Sequence, residues 1–378
     1  MVSSSPSVSS VARREGLFRA PELSYSDFIS DKWMAISRGL GLNAGEAQAA
    51  VDELNDLIRP WGSRRLGERC EYPSFLSHDG FPAEMSLSWR DGRPELRVLF
   101  ESLGVDADPW SSQEAGRELT RRLADKPGVS VDRYLKVEDL FLSETPALYR
   151  PTVWHSLAWR PGEPFQYKVY LNPQAQGADR ACEVVTEAMD RMGMRQAWQP
   201  VAERHAELTA QGHELEFFAL DLRPEAQARV KVYYRHGRMP VAELGAVAAL
   251  ARTHDPVRAG RVLDTVYRDH DGQVTNEPMT CLAFRAEGNG PDEANLYLRF
   301  PGNTASDAEA ADRVAEVMRA EAIDPEPYLT MLDALAPEPL AGITGLQELL
   351  SYRTRNGDAP ADVGVYFRFS VYDTPVVI

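Results

Sequence analysis

Basic residues and a tyrosine recur at every second position of the segment ARVKVYYRH, from Ala228 to His236. The alternating residues are Arg229, Lys231, Tyr233 and Arg235, with Val230, Val232 and Tyr234 between them. Successive side chains of a β-strand point to opposite faces, so this pattern predicts a strand with one cationic face and one apolar face. Guanidinium and ammonium groups bind phosphate, and tyrosine rings stabilise cations. The cationic face therefore predicts a site for an anion beside a developing positive charge.

Related residue pairs occur elsewhere when the chain is aligned on its tyrosines. The aligned pairs are Lys168 and Tyr170, Lys231 and Tyr233, Asn295 and Tyr297, and Ser370 and Tyr372. An earlier segment carries Arg97 on the equivalent face, and the intervening positions are mostly Leu, Val or Phe. The sequence therefore predicts several strands that share one polar, tyrosine-bearing face.

These strands belong to five predicted hairpins, which are separated by segments with helical spacing. The paired segments are EMSLSW with ELRVLFE, VWHSLAW with FQYKVYL, LEFFALDL with ARVKVYY, MTCLAFRA with ANLYLRF, and LQELLSY with VYFRFSVY. Amphipathic segments such as SDFISDKWMAISRGLGL and VAELGAVAALARTHD are predicted helices. The repeating unit is close to ααββ, so the sequence predicts an α+β fold.

Ten antiparallel strands in an open sheet would leave two exposed edges, and closure into a barrel removes both. The apolar face of the strands needs a cover, which the amphipathic helices provide. We therefore predict a ten-stranded antiparallel β-barrel of repeated ααββ units, surrounded by a ring of α-helices, with the polar face as its lumen. The alternative is an open sheet whose polar face is solvated.

Composition limits the class of protein. The 378 residues with 43% hydrophobic content predict one domain over residues 21–378, after a flexible Ser-rich tail over residues 1–20. A net charge of −16 argues against nucleic acid as a partner, and no membrane-spanning or secretory segment is expected. The scattered cysteines Cys70, Cys182 and Cys281 argue against a disulfide framework, so we expect a cytoplasmic protein.

Cations enclosed in a lumen are costly unless an anion joins them. The candidate cations are Arg97, Lys168, Arg229 and Lys231. Together they suit a diphosphate, because arginine offers a planar fork to phosphate oxygens and lysine a mobile point charge. The sequence contains no P-loop, which argues against a nucleotide in a mononucleotide-binding fold. Since the tyrosines on the same face would stabilise a carbocation, the residues together indicate an allylic diphosphate.

The chain resembles the aromatic prenyltransferases of the ABBA, or prenyltransferase-barrel, fold, in their indole branch, the dimethylallyltryptophan synthase-like enzymes. The resemblance covers nearly the whole chain after the N-terminal tail. It rests on the order and spacing of FPAEMSLSW, ELRVLFE, KVYLNP, RVKVY, NLYLRF and RFSVY. The segment PGVSVDRYLKVEDLF, which begins at Pro127, looks closest to bacterial members that act on indolactam-type substrates.

The resemblance implies a role for each residue of the polar face. The diphosphate would be held by Arg97, Lys168, Arg229 and Lys231, joined by Arg368. A tyrosine shield of Tyr170, Tyr233, Tyr297 and Tyr372 would protect the allylic cation from water. Glu84 would accept the indole N–H and stabilise positive charge on the ring. The alternative for Glu84 is an ordinary exposed strand carboxylate.

Three further residues are candidates for the site, and the resemblance suggests what each would do. His155 stands where some relatives carry a lysine proposed as the base that rearomatises the product, and its alternative is a hydrogen-bonded core histidine. Asn295 stands where relatives often carry glutamine or a basic residue. Trp154 would narrow the prenyl pocket and favour dimethylallyl over geranyl, and its alternative is a core aromatic residue.

The implied reaction is an electrophilic aromatic substitution. An allylic diphosphate, dimethylallyl or geranyl, would ionise, and the indole ring of a tryptophan-derived secondary metabolite such as indolactam would capture the cation and lose a proton. The sequence has no DDxxD motif, so Mg²⁺ is expected to be dispensable, and we predict no cofactor, no metal site and a monomer. Two alternatives stay open: a barrel prenyltransferase for tryptophan, a cyclic dipeptide or a phenol, and a non-catalytic barrel that binds an anionic small molecule.

Overall fold

The computed structural model describes residues 15–147, 151–268, 272–274, 276–357 and 359–374. The strands are β1 (Ala83–Arg90), β2 (Arg93–Phe100), β3 (Val153–Trp159), β4 (Gln166–Leu171), β5 (His213–Asp221), β6 (Val230–His236), β7 (Met239–Pro240), β8 (Gln273–Val274), β9 (Met279–Phe284), β10 (Glu293–Arg299), β11 (Gln347–Arg353) and β12 (Asp362–Phe367). The helices are α1 (Tyr25–Gly39), α2 (Ala44–Gly62), α3 (Pro109–Leu123), α4 (Asp132–Phe141), α5 (Ala181–Arg191), α6 (Arg195–Ala202), α7 (His205–Ala210), α8 (Pro256–Val266), α9 (Asp307–Ala320) and α10 (Glu326–Leu335).

Strand pairing closes the sheet into a barrel. The order is β1-β12-β11-β10-β9-β6-β5-β4-β3-β2, and β1 pairs with both β2 and β12. All neighbours are antiparallel, while β7 and β8 form a separate two-stranded ribbon. The ten-stranded antiparallel barrel predicted from the five hairpins is therefore confirmed.

The outer face of the barrel is apolar and is covered by helices. Trp33 of α1 lies 6.0 Å from Trp159 of β3, measured between ring centroids. Phe141 of α4 stacks on Phe218 of β5 at 4.9 Å. Val232, on the outer face of β6, is completely buried. The hydrophobic core thus lies between the barrel wall and the helices, which leaves the inner face for polar residues.

The helices begin where the sequence supplies N-cap side chains. Ser24, Asn43, Asp108, Asp255 and Ser306 each accept a hydrogen bond from a backbone N–H of the following first turn. The predicted helix VAELGAVAALARTHD is wrong, since this segment forms two short 3₁₀ turns with a glycine, a poor helix former, between them. Among the described helices, none is long and apolar enough to cross a membrane.

The N-terminal residues pack against the chain that follows β12. The predicted flexible tail covers residues 1–20, of which residues 1–14 lie outside the described part. The Phe18 amide donates a 2.8 Å hydrogen bond to the Ser370 carbonyl, and its buried ring lies 5.1 Å from Phe369. Within the predicted tail, Phe18 therefore forms part of the apolar layer outside the barrel.

Candidate active site

Four tyrosines form a continuous row inside the barrel. They are Tyr170 of β4, Tyr233 of β6, Tyr297 of β10 and Tyr366 of β12. Successive ring centroids lie 6.1, 5.9 and 5.7 Å apart along this order. Burial raises the pKa of Tyr170 to about 12 and the pKa of Tyr233 and Tyr297 well above its usual value, so these hydroxyls stay protonated at neutral pH. The three tyrosines predicted on β4, β6 and β10 are thus brought together, and Tyr366 completes the row.

Tyr372 lies elsewhere, and its predicted position in the lumen is wrong. Strand β12 ends at Phe367, and the amides of Val371 and Tyr372 donate to the Asp79 carboxylate at 2.7 and 3.0 Å. The Tyr372 hydroxyl lies 3.0 Å from the Tyr25 hydroxyl of α1. The chain therefore leaves the barrel before Tyr372, whose ring is buried in the outer apolar core.

Six basic side chains lie on one side of the tyrosine row. This cation cluster consists of Arg90, Arg97, Lys168, Arg229, Lys231 and Arg353. Because residues two apart share a strand face, Lys168 and Lys231 each sit one inward position from a row tyrosine. Arg97 connects the two sets, since its Nη1 donates to the Tyr366 hydroxyl at 3.3 Å. The four cations predicted on β2, β4 and at the start of β6 therefore lie in one region.

Carboxylates neutralise part of this cluster. The cations contact Glu95, Asp221, Glu293 and Asp362. Asp221 lies 2.9 Å from Arg229 and 3.7 Å from Lys168, and Arg97 donates to Glu95 at 2.7 Å. Within the described residues, no carboxylate lies within ion-pair distance of Lys231. With six cations and four carboxylates, this side of the lumen has a positive surplus.

Sequence reasoning missed Arg90 and Arg353 and the pairing of the carboxylates. Both arginines lie at strand ends, immediately after the predicted segments EMSLSW and LQELLSY. The alternation of side chains could have identified both arginines, because residues an even number apart share a strand face. Arg90 lies six residues after Glu84, and Arg353 lies four residues after the inward-facing Leu349. Extending each predicted strand by one residue would have placed both arginines on the inner face.

The titration properties of the cluster follow from its burial and its charges. Burial, followed by the neighbouring Arg229, lowers the pKa of Lys231 to about 8. Burial and Arg97 also hold the pKa of Lys168 well below its usual value. Burial alone would raise the pKa of Glu95, but Arg97 and the other nearby cations hold it at about 2. A bound anion would therefore raise the pKa of both lysines and favour their charged forms, while Glu95 stays ionised.

Two cavities open inside the barrel on either side of the tyrosines. The cationic cavity, of about 40 Å³, is lined by residues that include Arg90, Arg97, Lys231, Asn295 and Arg353. The aromatic cavity, of about 460 Å³, is lined by residues that include Glu84, Leu99, Trp154, Phe217 and Leu349. Tyr297 and Tyr366 line both cavities, so the tyrosine row forms the boundary between them.

Glu84 is buried at the start of β1 and lines the aromatic cavity, as predicted for a residue of the inner face. Burial raises the pKa of its carboxyl, and Arg368, whose Nε donates to it at 2.9 Å, opposes that rise. Arg368 also lies 3.4 Å from Glu348. The predicted place of Arg368 beside the diphosphate cations is therefore wrong, because β12 carries it to the opposite side of the tyrosine row.

His155 faces away from the lumen, and its predicted position in the site is wrong. It pairs with Phe100 and Val169 on the outer face of the barrel, and its Nε2 lies 2.8 Å from the Thr120 hydroxyl of α3. Burial lowers the pKa of His155 to about 3, so the ring is neutral. The histidine is therefore a hydrogen-bonded residue of the core between barrel and helix.

The other predicted lumen residues lie inside the barrel. Trp154 lines the aromatic cavity, where its ring meets Phe217 edge to face at 5.2 Å. Asn295 lines the cationic cavity. Arg235, left without a role by the sequence, lines the rim of the aromatic cavity and contacts three glutamates there.

Comparisons with known proteins give a consistent assignment. The sequence profile described as tryptophan dimethylallyltransferase matches residues 57–321. Among solved structures, 6-dimethylallyltryptophan synthase from Micromonospora olivasterospora, in complex with DMASPP and Trp, is 27% identical with a TM-score of 0.84, over 94% of this chain and 100% of that chain. The 5-dimethylallyl tryptophan synthase from Streptomyces coelicolor, in complex with the same two molecules, is 28% identical with a TM-score of 0.81, over 94% and 98%.

A third solved structure is that of the prenyltransferase PriB in a ternary complex with L-tryptophan and dimethylallyl thiolodiphosphate. It is 28% identical, with a TM-score of 0.81, over 94% of this chain and 99% of that chain. The profile match spans most of the barrel, from the end of α2 to the end of α9, and the solved structures share its fold. The chain belongs to the tryptophan dimethylallyltransferase family and is an aromatic prenyltransferase of the indole branch, with a prenyl diphosphate as co-substrate.

Proposed function

We propose that this enzyme transfers a dimethylallyl group from dimethylallyl diphosphate to the indole ring of a tryptophan-derived secondary metabolite, such as an indolactam. One observation carries the proposal: the row of Tyr170, Tyr233, Tyr297 and Tyr366 separates a cation-rich cavity from an aromatic cavity that contains a buried carboxylate. This arrangement suits a reaction in which a leaving anion, an allylic cation and a neutral ring lie in that order.

The cation cluster binds the diphosphate in this proposal and stabilises it as it leaves. Lys231 supports that role, because its ammonium lines the cavity without a carboxylate partner among the described residues. Arg97 and Arg229 are buried with fixed partners, so they would supply preorganised positive charge at the breaking C–O bond. Protein cations then do what Mg²⁺ does in other prenyl-transfer enzymes, and we propose that the reaction proceeds without metal.

The tyrosine row encloses the allylic cation. A ring face stabilises a cation by about 0.5–2 kcal/mol where water is excluded, and four adjacent rings surround the path between the cavities. Their hydroxyls stay protonated, so they donate hydrogen bonds and do not compete as nucleophilic phenolates. The row thereby directs the cation towards the aromatic ring on the far side.

Glu84 orients the acceptor by accepting the indole N–H. Its carboxylate is buried, lines the aromatic cavity and is held by Arg368, which fixes its direction. The negative charge stabilises the positive charge that develops on the ring as the new C–C bond forms. The ring proton must then pass to an acceptor inside the lumen, since the His155 imidazole lies outside the barrel wall.

Dimethylallyl is the proposed donor rather than geranyl. Trp154 and Phe217 meet edge to face on the wall of the aromatic cavity, and in this proposal they limit the length of the prenyl chain. The similar structures that contain DMASPP or dimethylallyl thiolodiphosphate support the same choice. The segment that looks like indolactam enzymes forms α4 outside the barrel, and none of its described residues lines the aromatic cavity.

The experiment is incubation of the purified chain, without added metal, with dimethylallyl or geranyl diphosphate and a small acceptor panel. The panel contains tryptophan, an indolactam, a tryptophan-containing cyclic dipeptide and a naphthol, and mass spectrometry detects prenylated product. We expect dimethylallyl addition to an indole. Product with the naphthol alone, or an absolute need for Mg²⁺, would contradict the proposal, and no turnover would favour a non-catalytic binding protein.

A further inference from the structure

Three arginines and three glutamates line the aromatic cavity. The arginines are Arg235, Arg299 and Arg368, and the carboxylates that they contact are Glu84, Glu214, Glu216, Glu277 and Glu348. Every basic side chain that lines this cavity within the described ranges therefore already contacts a carboxylate. An acceptor that enters the cavity therefore meets, among the described residues, no arginine without a carboxylate partner.

At the rim of the cavity, carboxylates outnumber the basic side chain that they contact. Arg235 donates to Glu214, Glu216 and Glu277 at 2.5, 3.2 and 2.6 Å, so one guanidinium faces three carboxylates. Glu216 lines the cavity and only 16% of its side chain is exposed. Burial raises the pKa of Glu216, Arg235 opposes the rise, and Glu277 and Glu214 add to it. Arg235 therefore balances only part of the negative charge at the rim before a ligand binds.

The deeper arginines of the cavity also contact carboxylates. Arg368 holds Glu84 at 2.9 Å and approaches Glu348 at 3.4 Å. Arg299 donates to the same Glu348 at 2.5 Å. A carboxylate on the acceptor would compete with Glu84 for Arg368, and its displacement of Glu84 would leave a buried glutamate without its arginine partner.

One rim carboxylate, Glu277, has an unusual backbone conformation. Glu277 has a φ of 53°, in the left-handed region that non-glycine residues seldom adopt. Its side chain binds Arg235, and its carbonyl accepts from Arg299 Nε at 3.1 Å. Residues held in such conformations cluster at functional sites, where surrounding contacts maintain them. These contacts and this backbone conformation hold Glu277 at the rim beside Arg235.

We propose, on the basis of the function proposed above, that the acceptor is an indole without a free carboxylate, and that Glu216 contributes to the exclusion of acceptors that carry one. Like charges brought together in a poorly solvated site repel, whereas a neutral or cationic side chain meets no such penalty. Amide, lactam and amine derivatives of tryptophan fit this description, and tryptophan and N-acyl tryptophans do not.

Two matched pairs of acceptors test the inference with the same enzyme and donor. The first pair is tryptophan and tryptophanamide, and the second is N-acetyltryptophan and N-acetyltryptophanamide, each assayed for kcat/KM with dimethylallyl diphosphate. We expect the amide to exceed the acid by about tenfold or more in both pairs. The Glu216→Gln variant should narrow both ratios, while the exposed Glu207→Gln control should leave them unchanged.

The outcomes separate this inference from the function on which it rests. If acids and amides are prenylated equally well, or if Glu216→Gln leaves the ratios unchanged, the inference is wrong while the proposed function stands. If neither these four compounds nor an indolactam is prenylated, the proposed function itself fails. The acceptor pairs need no variant, so the result holds even if Glu216→Gln folds poorly.

Discussion

The two sides of the tyrosine row are built from the same strands but differ in charge balance. On one side, six basic residues face four carboxylates, and Lys231 lacks a carboxylate partner among the described residues. On the other side, three arginines and three glutamates line the aromatic cavity, and each arginine already contacts a carboxylate. A surplus of positive charge suits a diphosphate, and a cavity whose arginines are already paired suits an acceptor that carries no carboxylate.

This difference shows how one barrel can hold two unlike substrates in a fixed order. Inner-face residues two apart on a strand reach successive levels of the lumen, so a single strand can carry a cation, a tyrosine and a rim residue. Strand β6 does so with Lys231, Tyr233 and Arg235. The charge asymmetry along the barrel, rather than any one residue, sets the direction of prenyl transfer in our account.

The largest effect is expected from removing the lysine without a carboxylate partner. Lys231→Ala should lower kcat/KM by about 100- to 1,000-fold, because it removes preorganised positive charge from the leaving diphosphate. The matched control is Lys136→Ala on α4, where the lysine is 45% exposed and pairs with Glu225. Steady-state kinetics of both variants provide the test, and a Lys231→Ala enzyme within a few-fold of wild type would remove Lys231 from the donor site.

A substitution on the aromatic side of the tyrosine row should lower activity less. Glu84→Gln should lower kcat by about 10- to 100-fold, since a charge-assisted hydrogen bond to the indole is replaced by a neutral one. Donor affinity should stay unchanged, because Glu84 lies beyond the tyrosines from the cation cluster. The control is Glu207→Gln on α7, where 53% of the side chain is exposed and the carboxylate pairs with Arg204. Equal losses in the two variants would contradict a specific role for Glu84.

The pKa of Lys231 predicts a pH dependence of donor use. Burial lowers this pKa to about 8, so the lysine is protonated below pH 8 and loses its charge above it. Loss of this charge should therefore lower donor kcat/KM by about tenfold per pH unit above about pH 8. In Lys231→Arg, whose guanidinium does not titrate in this range, the alkaline fall should move to higher pH. An unchanged profile in that variant would assign the titration to another group.

The smallest effect concerns the tyrosine row itself. Tyr366→Leu removes one ring face from the allylic cation and should raise the share of prenyl alcohol, formed by water capture, by about two- to tenfold relative to prenylated indole. Tyr372→Leu should destabilise the outer core but leave this product ratio unchanged, because Tyr372 lies outside the lumen. Mass spectrometry of the products measures this ratio for both variants. A ratio that changes only in Tyr372→Leu would contradict the placement of Tyr366 inside the lumen and Tyr372 outside it.

Much of the fold followed from local patterns. Alternation along each strand and the ααββ repeat were enough for the barrel, and alignment on tyrosines identified Tyr170, Tyr233 and Tyr297. The alternation of side chains alone could not decide whether Tyr366 or Tyr372 faces the lumen. Both would lie on the same face of a strand long enough to include them. The end of β12 depends on Asp79, nearly three hundred residues away in sequence, which accepts the amides of Val371 and Tyr372.

The error at His155 was avoidable from the sequence. Trp154 and His155 are adjacent, and adjacent residues of a regular strand cannot both face the lumen. The register confirms the alternation, since Trp154 lies opposite Tyr170 and His155 opposite Val169. By contrast, the ion pairs between different hairpins, such as Lys168 with Asp221 and Arg90 with Asp362, could not have been predicted, because they depend on how neighbouring hairpins are placed in the barrel.

The most direct test is a crystal structure of the enzyme with a thiolodiphosphate analogue of the donor and an indole acceptor. Our account predicts diphosphate oxygens on Lys168, Arg229 and Lys231, the allyl carbon between the tyrosine rings, and the indole N–H on Glu84. A diphosphate bound at the rim on Arg235, or an indole placed on the cation-cluster side of the tyrosine row, would contradict it.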